Sequence, residues 1–413
     1  MYSLPSLLLV SLPVVFATYN PNVLYTPDTL TSEILNPIAQ QGMNQLLNYY
    51  YPSLNLIGNV TESVPFWTTG NAVETIANYM EATGDFTPLP IVENLFTASP
   101  SRYCSKVWGC YFDDLQWYIL AWIRTYEVTQ NITYLNQATE LYSNILTKWN
   151  GWNETCGGMN WLGGGGSYIN AIPNELFLDC SINLARNTGS NNPIGNYTYS
   201  DWTKQEWNWF SNSPMPIPQN IPSNGLLITD GLSTQDCSKI NPTGSYWTYN
   251  QGVLLSGLAR LSISENNNQY ANIANTIATT AMYYFNNTNV TGTMGVLTEV
   301  SCGHDGNCNG QDGRQFKGVF IRHLNYVLPI LSQFSPNPSI TQELYENYIL
   351  EQVSSILNMN TYPVNANSIQ FGQLWQGPFM WDNTPWVSQG SALDAIIAGL
   401  QVLQQREKRN QRM

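Results

Sequence analysis

An all-α fold, a toroid of helical hairpins, is what this sequence predicts, and three observations predict it. Apolar residues recur at helical spacing in segment after segment. Strand-like alternation is confined to short pieces such as Gly225-Leu226-Leu227-Ile228. The connections between helical segments are alternately short and long, as in hairpins set around an axis with elaborated loops on one face. No repeat of fixed length runs through the chain, which argues against a regular solenoid.

Twelve segments carry the pattern, near 31–50, 70–83, 87–97, 111–129, 133–149, 171–188, 198–211, 246–264, 267–285, 311–335, 339–358 and 387–405. Gly-, Asn- and Trp-rich loops separate them, for example CGGMNWLGGGGSYIN at 156–170 and LITDGLSTQDC at 227–237. No linker or run of like charge divides residues 18–404, so one domain is expected there. The basic stretch 405–413 reads as a disordered tail.

The chain ahead of residue 18, MYSLPSLLLVSLPVVFA, is apolar, too short to span a bilayer, and ends in Val15-Phe16-Ala17. It reads as a signal peptide over 1–17. Six Asn-x-Ser/Thr sequons agree with secretion: Asn59, Asn131, Asn153, Asn196, Asn286 and Asn289. A hydrophobic lipid-anchor signal is absent from REKRNQRM at the C-terminus. The expectation is a soluble, secreted monomer with no integral membrane span, associated at most with the cell wall.

Charge and composition narrow the chemistry. The 413 residues hold 15 Lys+Arg against 28 Asp+Glu, a net charge of −13 that excludes nucleic acid and anionic membrane as partners. Two histidines leave little room for His-based metal or triad chemistry. Carboxylates are what remains. Seven cysteines in an oxidising compartment allow three bridges and one thiol. Cys104/Cys110 and Cys302/Cys308 are the natural local pairs. Cys180, in ELFLDCSINLA, reads as a buried thiol, which leaves Cys156 and Cys237 as a third pair, although connectivity stays open.

Asp113-Asp114 is the chain's only Asp-Asp pair and sits where a helix starts, in CYFDDLQWYILAWIRTYEVTQN. Asp in a first turn is most often a cap that satisfies free N–H groups and complements the helix dipole. Alternatively the two are a glycosidase pair, since retaining enzymes need two carboxyls about 5–5.5 Å apart. Surroundings favour the second reading. Trp67, Trp108, Trp117, Trp161, Trp247, Trp375 and Trp381 lie in or beside predicted loops among many Tyr and Asn. Aromatic faces with amide and hydroxyl neighbours suit sugars. Asp305-Gly-Asn307-Cys-Asn309-Gly310 begins like a calcium loop, but its twelfth position is Phe316 where a Glu is required. No metal or cofactor is assigned.

Several stretches together resemble glycoside hydrolase family 76. They are PFWTTGNAVETIANYMEATGD (65–85), FDDLQWYILAWIRTYEVTQNITYLNQATELY (112–142), CGGMNWL (156–162), YINAIPNELFLDCSINLA (168–185), GLLITDGL (225–232), YWTYNQGVLLSGLARL (246–261) and QFKGVFIRHL (315–324). The resemblance covers most of the chain from residue 65. It implies an (α/α)6 barrel, a polysaccharide substrate (α-1,6-mannan) and a retaining endo-acting mannosidase. Asp113 is then the nucleophile and Asp114 the general acid/base. Substrate contacts are implied for Asp230, Trp67, Asn71, Trp117, Trp161, Asn170, Glu175, Tyr249, Asn250 and Lys317, whereas Arg322 is read as a structural salt bridge. A mannan transglycosidase using the same pair, an idle mannan-binding wall protein, and an α/α-barrel glycosidase or lyase with carboxylates elsewhere are the alternatives.

Overall fold

The computed structural model describes residues 18–58, 66–106, 109–148, 151–163, 168–189, 192–220, 224–240, 245–286, 295–303, 306–308 and 312–412. The leader at 1–17, Trp108, Asp305, Asn309 and the sequons Asn59 and Asn289 lie outside these. Among the described residues twelve α-helices form: α1 (Ser32–Leu47), α2 (Phe66–Thr83), α3 (Leu89–Ala98), α4 (Phe112–Thr129), α5 (Ile132–Thr147), α6 (Ala171–Thr188), α7 (Tyr199–Asn212), α8 (Thr248–Ser264), α9 (Asn268–Tyr284), α10 (Gly313–Gln333), α11 (Pro338–Met359) and α12 (Pro385–Asn410).

The even-numbered helices close a ring. Each of α2, α4, α6, α8 and α10 packs on the next, and α12 returns to α2. Outside it, α5, α7 and α9 back α4, α6 and α8, while α11 and α1 cover the α10–α12–α2 side. Phe96 of α3 meets Trp122 and Tyr134, at ring-centroid distances of 5.1 and 4.9 Å, and so covers α4 and α5. This is an (α/α)6 barrel.

Inner helices are covered on nearly every side, so the polar residues that they carry are buried along with the apolar ones. Gly252 and Gly318 allow the tightest crossings: a Cβ there would lie 2.6 Å from Phe320 Cα and 2.5 Å from Ser391 Cα. Polar groups on the inner faces find one another. Arg322 of α10 lies between Glu74 of α2 (3.3 Å) and Asp394 of α12 (3.2 Å), which confirms its structural reading. Arg260 pairs with Asp179 at 2.9 Å. His323 is buried, and desolvation pushes its pKa well down, so it stays neutral.

Connections at the C-terminal ends of the inner helices are short, such as residues 130–131 and 265–267. Those at their N-terminal ends are long and hold most of the strands, the short hairpin of 193–194 with 197–198 lying instead between α6 and α7. Hairpins pair 216–219 with 225–228 and 361–365 with 368–371, and a three-stranded sheet joins 168–170, 231–233 and 236–240. All three cysteine pairs form as expected, Cys156–Cys237 included, and Cys180 is free and buried. Every bridge lies in these long connections. Among the described sequons, Asn131 and Asn196 are exposed, whereas Asn286 is buried.

Several boundaries differ from expectation: α1 stops at Leu47, and Tyr50 opens a short strand. Helix α2 begins at Phe66, four residues earlier, because Phe66 is clamped under Tyr118 with ring centroids 4.4 Å apart. The stretch 405–410, expected to be disordered, continues α12: Arg406 and Arg409 bond Glu346 of α11 at 2.7 and 2.8 Å, and Glu407 accepts from Ser32. Late basic residues also complement the helix C-terminus. No described helix is long and apolar enough to cross a membrane.

Candidate active site

All six inner helices point their N-termini at the long-loop end of the barrel, where a cleft of about 500 Å³ opens. Its walls carry Asp113, Trp161, Asn170, Asp230, Trp247, Tyr249, Asn307, Asp312 and Phe316, with the Cys302–Cys308 bridge at one side. Tyr249 stacks on Phe316, centroids 3.7 Å apart and planes 9° off parallel, and Trp247 meets Phe316 edge-on at 5.5 Å. An apolar face ringed by carboxylates and amides results.

Asp113 and Asp114 occupy the first turn of α4, where the N-cap Tyr111 makes no side-chain cap bond and backbone amides of the first turn donate to the Asp113 carboxylate. Trp161 donates its indole N–H to Asp113 Oδ2 at 3.2 Å, while Oδ1 has no hydrogen-bond partner. Trp161 is held by the strap that precedes it: its carbonyl accepts from Phe112 N at 2.9 Å, and Gly163 N donates to Cys110 O at 2.7 Å. Burial raises the Asp113 pKa to about 7, opposed by first-turn amides and Trp161. Asp114 is pushed well above the usual carboxylate range by burial, then by the charges of Asp113 and Asp312, with no hydrogen bond opposing. One member of the pair is thus favoured as carboxylate and the other as acid.

Asp230 sits opposite, on the loop closing the three-stranded sheet. It accepts hydrogen bonds from the Tyr168 hydroxyl and from Asn170 Nδ2, the latter at 3.3 Å. Asn170 caps α6 by accepting from Ile172 N at 2.9 Å. Asp230 is also raised, by burial, against those same hydrogen bonds. Asp312, preceding α10, is a third cleft carboxylate that the sequence reading missed. It makes no cap bond and instead accepts from Trp67 Nε1 at 3.2 Å.

The expected contact residues divide into two groups. Asp230, Trp161, Asn170 and Tyr249 line the cleft with Asp113. The others lie behind its wall. Trp117 is buried against Trp67, whose indole is turned to Asp312. Asn71 is fully buried and accepts from Arg322. Glu175 is buried beneath Asp230 and pushed well up in pKa, first by desolvation. Asn250 is fully buried. Lys317 is buried over the Trp375 ring at 5.4 Å and lowered to about 8 by desolvation, with Glu299 opposing. Each lies on an inner helix and is buried there. Of the expected contacts that line the cleft, only Tyr249 is on an inner helix, α8; Asn170 lies just ahead of α6, and Asp230 and Trp161 are in the long connections.

Barrels that gather helix N-termini around an aromatic-walled cleft with carboxylates at its edge are the frame of α/α-barrel glycoside hydrolases, and this molecule is of that class. The model of glycosyl hydrolase family 76 matches residues 36–410, and the chain belongs to that family. Mannan endo-1,6-alpha-mannosidase DCW1 of Candida albicans is 29% identical over 49% of this chain, a match that spans 42% of the relative's own length. An inactive α-1,6-mannanase variant from Salegentibacter sp. HEL1_6, changed at two aspartates and solved with α-1,6-mannotetraose, superposes with a TM-score of 0.72. It is 19% identical, and the match covers 89% of this chain and 99% of that one. Dfg5 from Chaetomium thermophilum, solved with glucosamine, gives a TM-score of 0.69 at 18% identity, covering 92% of both chains.

The Trp161 hydrogen bond stabilises ionised Asp113, so removing it raises the pKa further. Trp161→Phe is expected to move the acid limb of kcat/KM upward by about half a pH unit, a modest shift because the indole is partly exposed. A limb that stays in place would detach Trp161 from the ionisation of Asp113.

Proposed function

We propose that the protein is a secreted, retaining endo-α-1,6-mannosidase that cleaves the backbone of fungal-type cell-wall mannan. The observation that carries this is the successive pair Asp113-Asp114 at the start of α4, with Asp113 in the cleft wall and the two carboxyls in environments that favour different protonation states. Further support comes from the mannanase neighbour named above, which is inactive when two aspartates are changed. Asp114 protonates the glycosidic oxygen as the bond to the anomeric carbon breaks. Asp113 attacks that carbon from the opposite face, giving a glycosyl ester. Water then gives a proton to the now ionised Asp114 and its hydroxyl to the anomeric carbon, which frees Asp113 and retains the configuration. Asp230, fixed by Tyr168 and Asn170, accepts from sugar hydroxyls, and the Tyr249–Phe316 stack receives a ring's C–H face.

A time course on unbranched α-1,6-mannan tests this. Shortened chains released first as the α-anomer, read by NMR before mutarotation, support the reading, and β-anomers overturn the retaining step. Products longer than the substrate would mean that a sugar hydroxyl takes the place of water. Asp114→Asn is expected to lose activity on mannan by about three orders of magnitude, yet far less on an aryl mannoside whose leaving group needs no proton. Equal losses on both would remove Asp114 from the acid role.

A further inference from the structure

Between α11 and α12 the chain carries a cluster of exposed rings. Tyr362 and Trp381 are 46% and 56% exposed, and half-buried Phe379 stacks on Tyr362 with centroids 5.4 Å apart and planes 22° off parallel. Trp381 stands edge-on to both, at 5.4 and 5.3 Å. The rings thus hold one another in fixed orientations. Among the described residues nothing covers their exposed faces, and the catalytic chemistry does not use them. We propose that this cluster is a second carbohydrate-binding surface, which takes up a neutral stretch of the same mannan chain after it leaves the cleft. The proposal rests on the mannan reading given above.

Position is the first argument. The connection 360–384 lies at the cleft end of the barrel, since it leads into the N-terminus of an inner helix. Its inner side is joined to the cleft wall: Gln373 Nε2 donates to Asn307 Oδ1 at 2.6 Å, and Asn307 lines the cleft. The rings belong to the same connection, where Gly372, next to Gln373, lies close to Phe379 and the Met380 carbonyl. A cleft of about 500 Å³ admits only a short run of sugars, so a polymer emerging on this side passes over the cluster.

Charge is the second. The stretch 359–384 holds no Lys, Arg, His or Glu, and Asp382, its one charged residue, is engaged by Arg314, Thr384 and Ser388. Such a surface has nothing with which to hold an anionic lipid or an acidic partner. Exposed aromatic faces without charge fit a neutral glycan, whose C–H faces stack on rings.

The test compares Trp381→Ala and the double variant with Tyr362→Ala against the unsubstituted protein, after thermal unfolding has shown both to be folded. Turnover of the short substrate α-1,6-mannotetraose is expected to stay within about two-fold, while retention in a gel containing polymeric α-1,6-mannan weakens about ten-fold. Unchanged retention on the polymer, or an equal loss with tetraose, would overturn the proposal. So would variants that lose binding to neutral phosphatidylcholine vesicles, or lose self-association, while keeping mannan. If the unsubstituted protein neither cleaves tetraose nor is retained by mannan, the functional reading fails as well, an outcome that the tetraose arm separates from failure of the cluster alone.

Discussion

Replacing Asp113 with Asn is expected to lower kcat/KM on unbranched α-1,6-mannan by about four orders of magnitude, or about 5.5 kcal/mol of transition-state stabilisation. The amide keeps the shape of the carboxylate and its oxygen can still accept from Trp161, but it forms no glycosyl ester. Glycan binding is therefore expected to persist. Stability moves the other way. Because the folded-state pKa is raised to about 7, the native protein holds a proton that the unfolded chain has released between about pH 4 and pH 7. Stability falls as pH rises through that window, and Asn removes the penalty. Thermal unfolding at pH 8 is expected to place the variant above the unsubstituted protein, with the two converging near pH 4. More than a few per cent residual activity would remove Asp113 from the nucleophile role.

Arg322→Met is expected to be the most destabilising single change in the barrel, at about 3–5 kcal/mol, because it strands two buried carboxylates rather than merely losing a contact. Glu74 and Asp394 would face each other across three inner helices with no cation between them. Burial already raises Asp394 to about 6, with Arg322 opposing that rise. Without the guanidinium the Asp394 pKa goes higher, so the variant's deficit is small where Asp394 is protonated and grows as pH rises. Melting temperatures compared at pH 5 and pH 8 read this directly. An equal deficit at both would mean that lost volume, not stranded charge, sets the cost.

Much of the frame was legible because inner and outer helices alike obey one rule of periodicity. All twelve appear where apolar spacing put them, and the long Gly- and Trp-rich loops fall on one face. What failed did so locally. The tail at 405–410 looks disordered by composition, and only its ion pairs with Glu346 hold it in α12. Asp312 escaped notice because an Asp before a helix reads as a cap, whereas in the fold it serves Trp67. Conversely, Trp117, Asn71, Asn250 and Lys317 come from the stretches that carried the family resemblance. That resemblance does not distinguish the residues that build the barrel from those that meet the cleft.

The three cystines all fall in the long connections, while the single free thiol, Cys180, is buried within the inner ring. The covalent reinforcement is therefore separate from the helical frame. Helix packing, with its buried ion pairs, needs no oxidant, but the connections that carry Asp230, Trp161 and Asp312 are long chains whose ordering entropy the cross-links reduce. In a thiol-reducing medium the molecule would lose the shape of its cleft before its barrel. Oxidation state would act as an assembly check: a chain that folds but has not been oxidised would be compact and catalytically silent, and would become competent only in the compartment where its bonds can close.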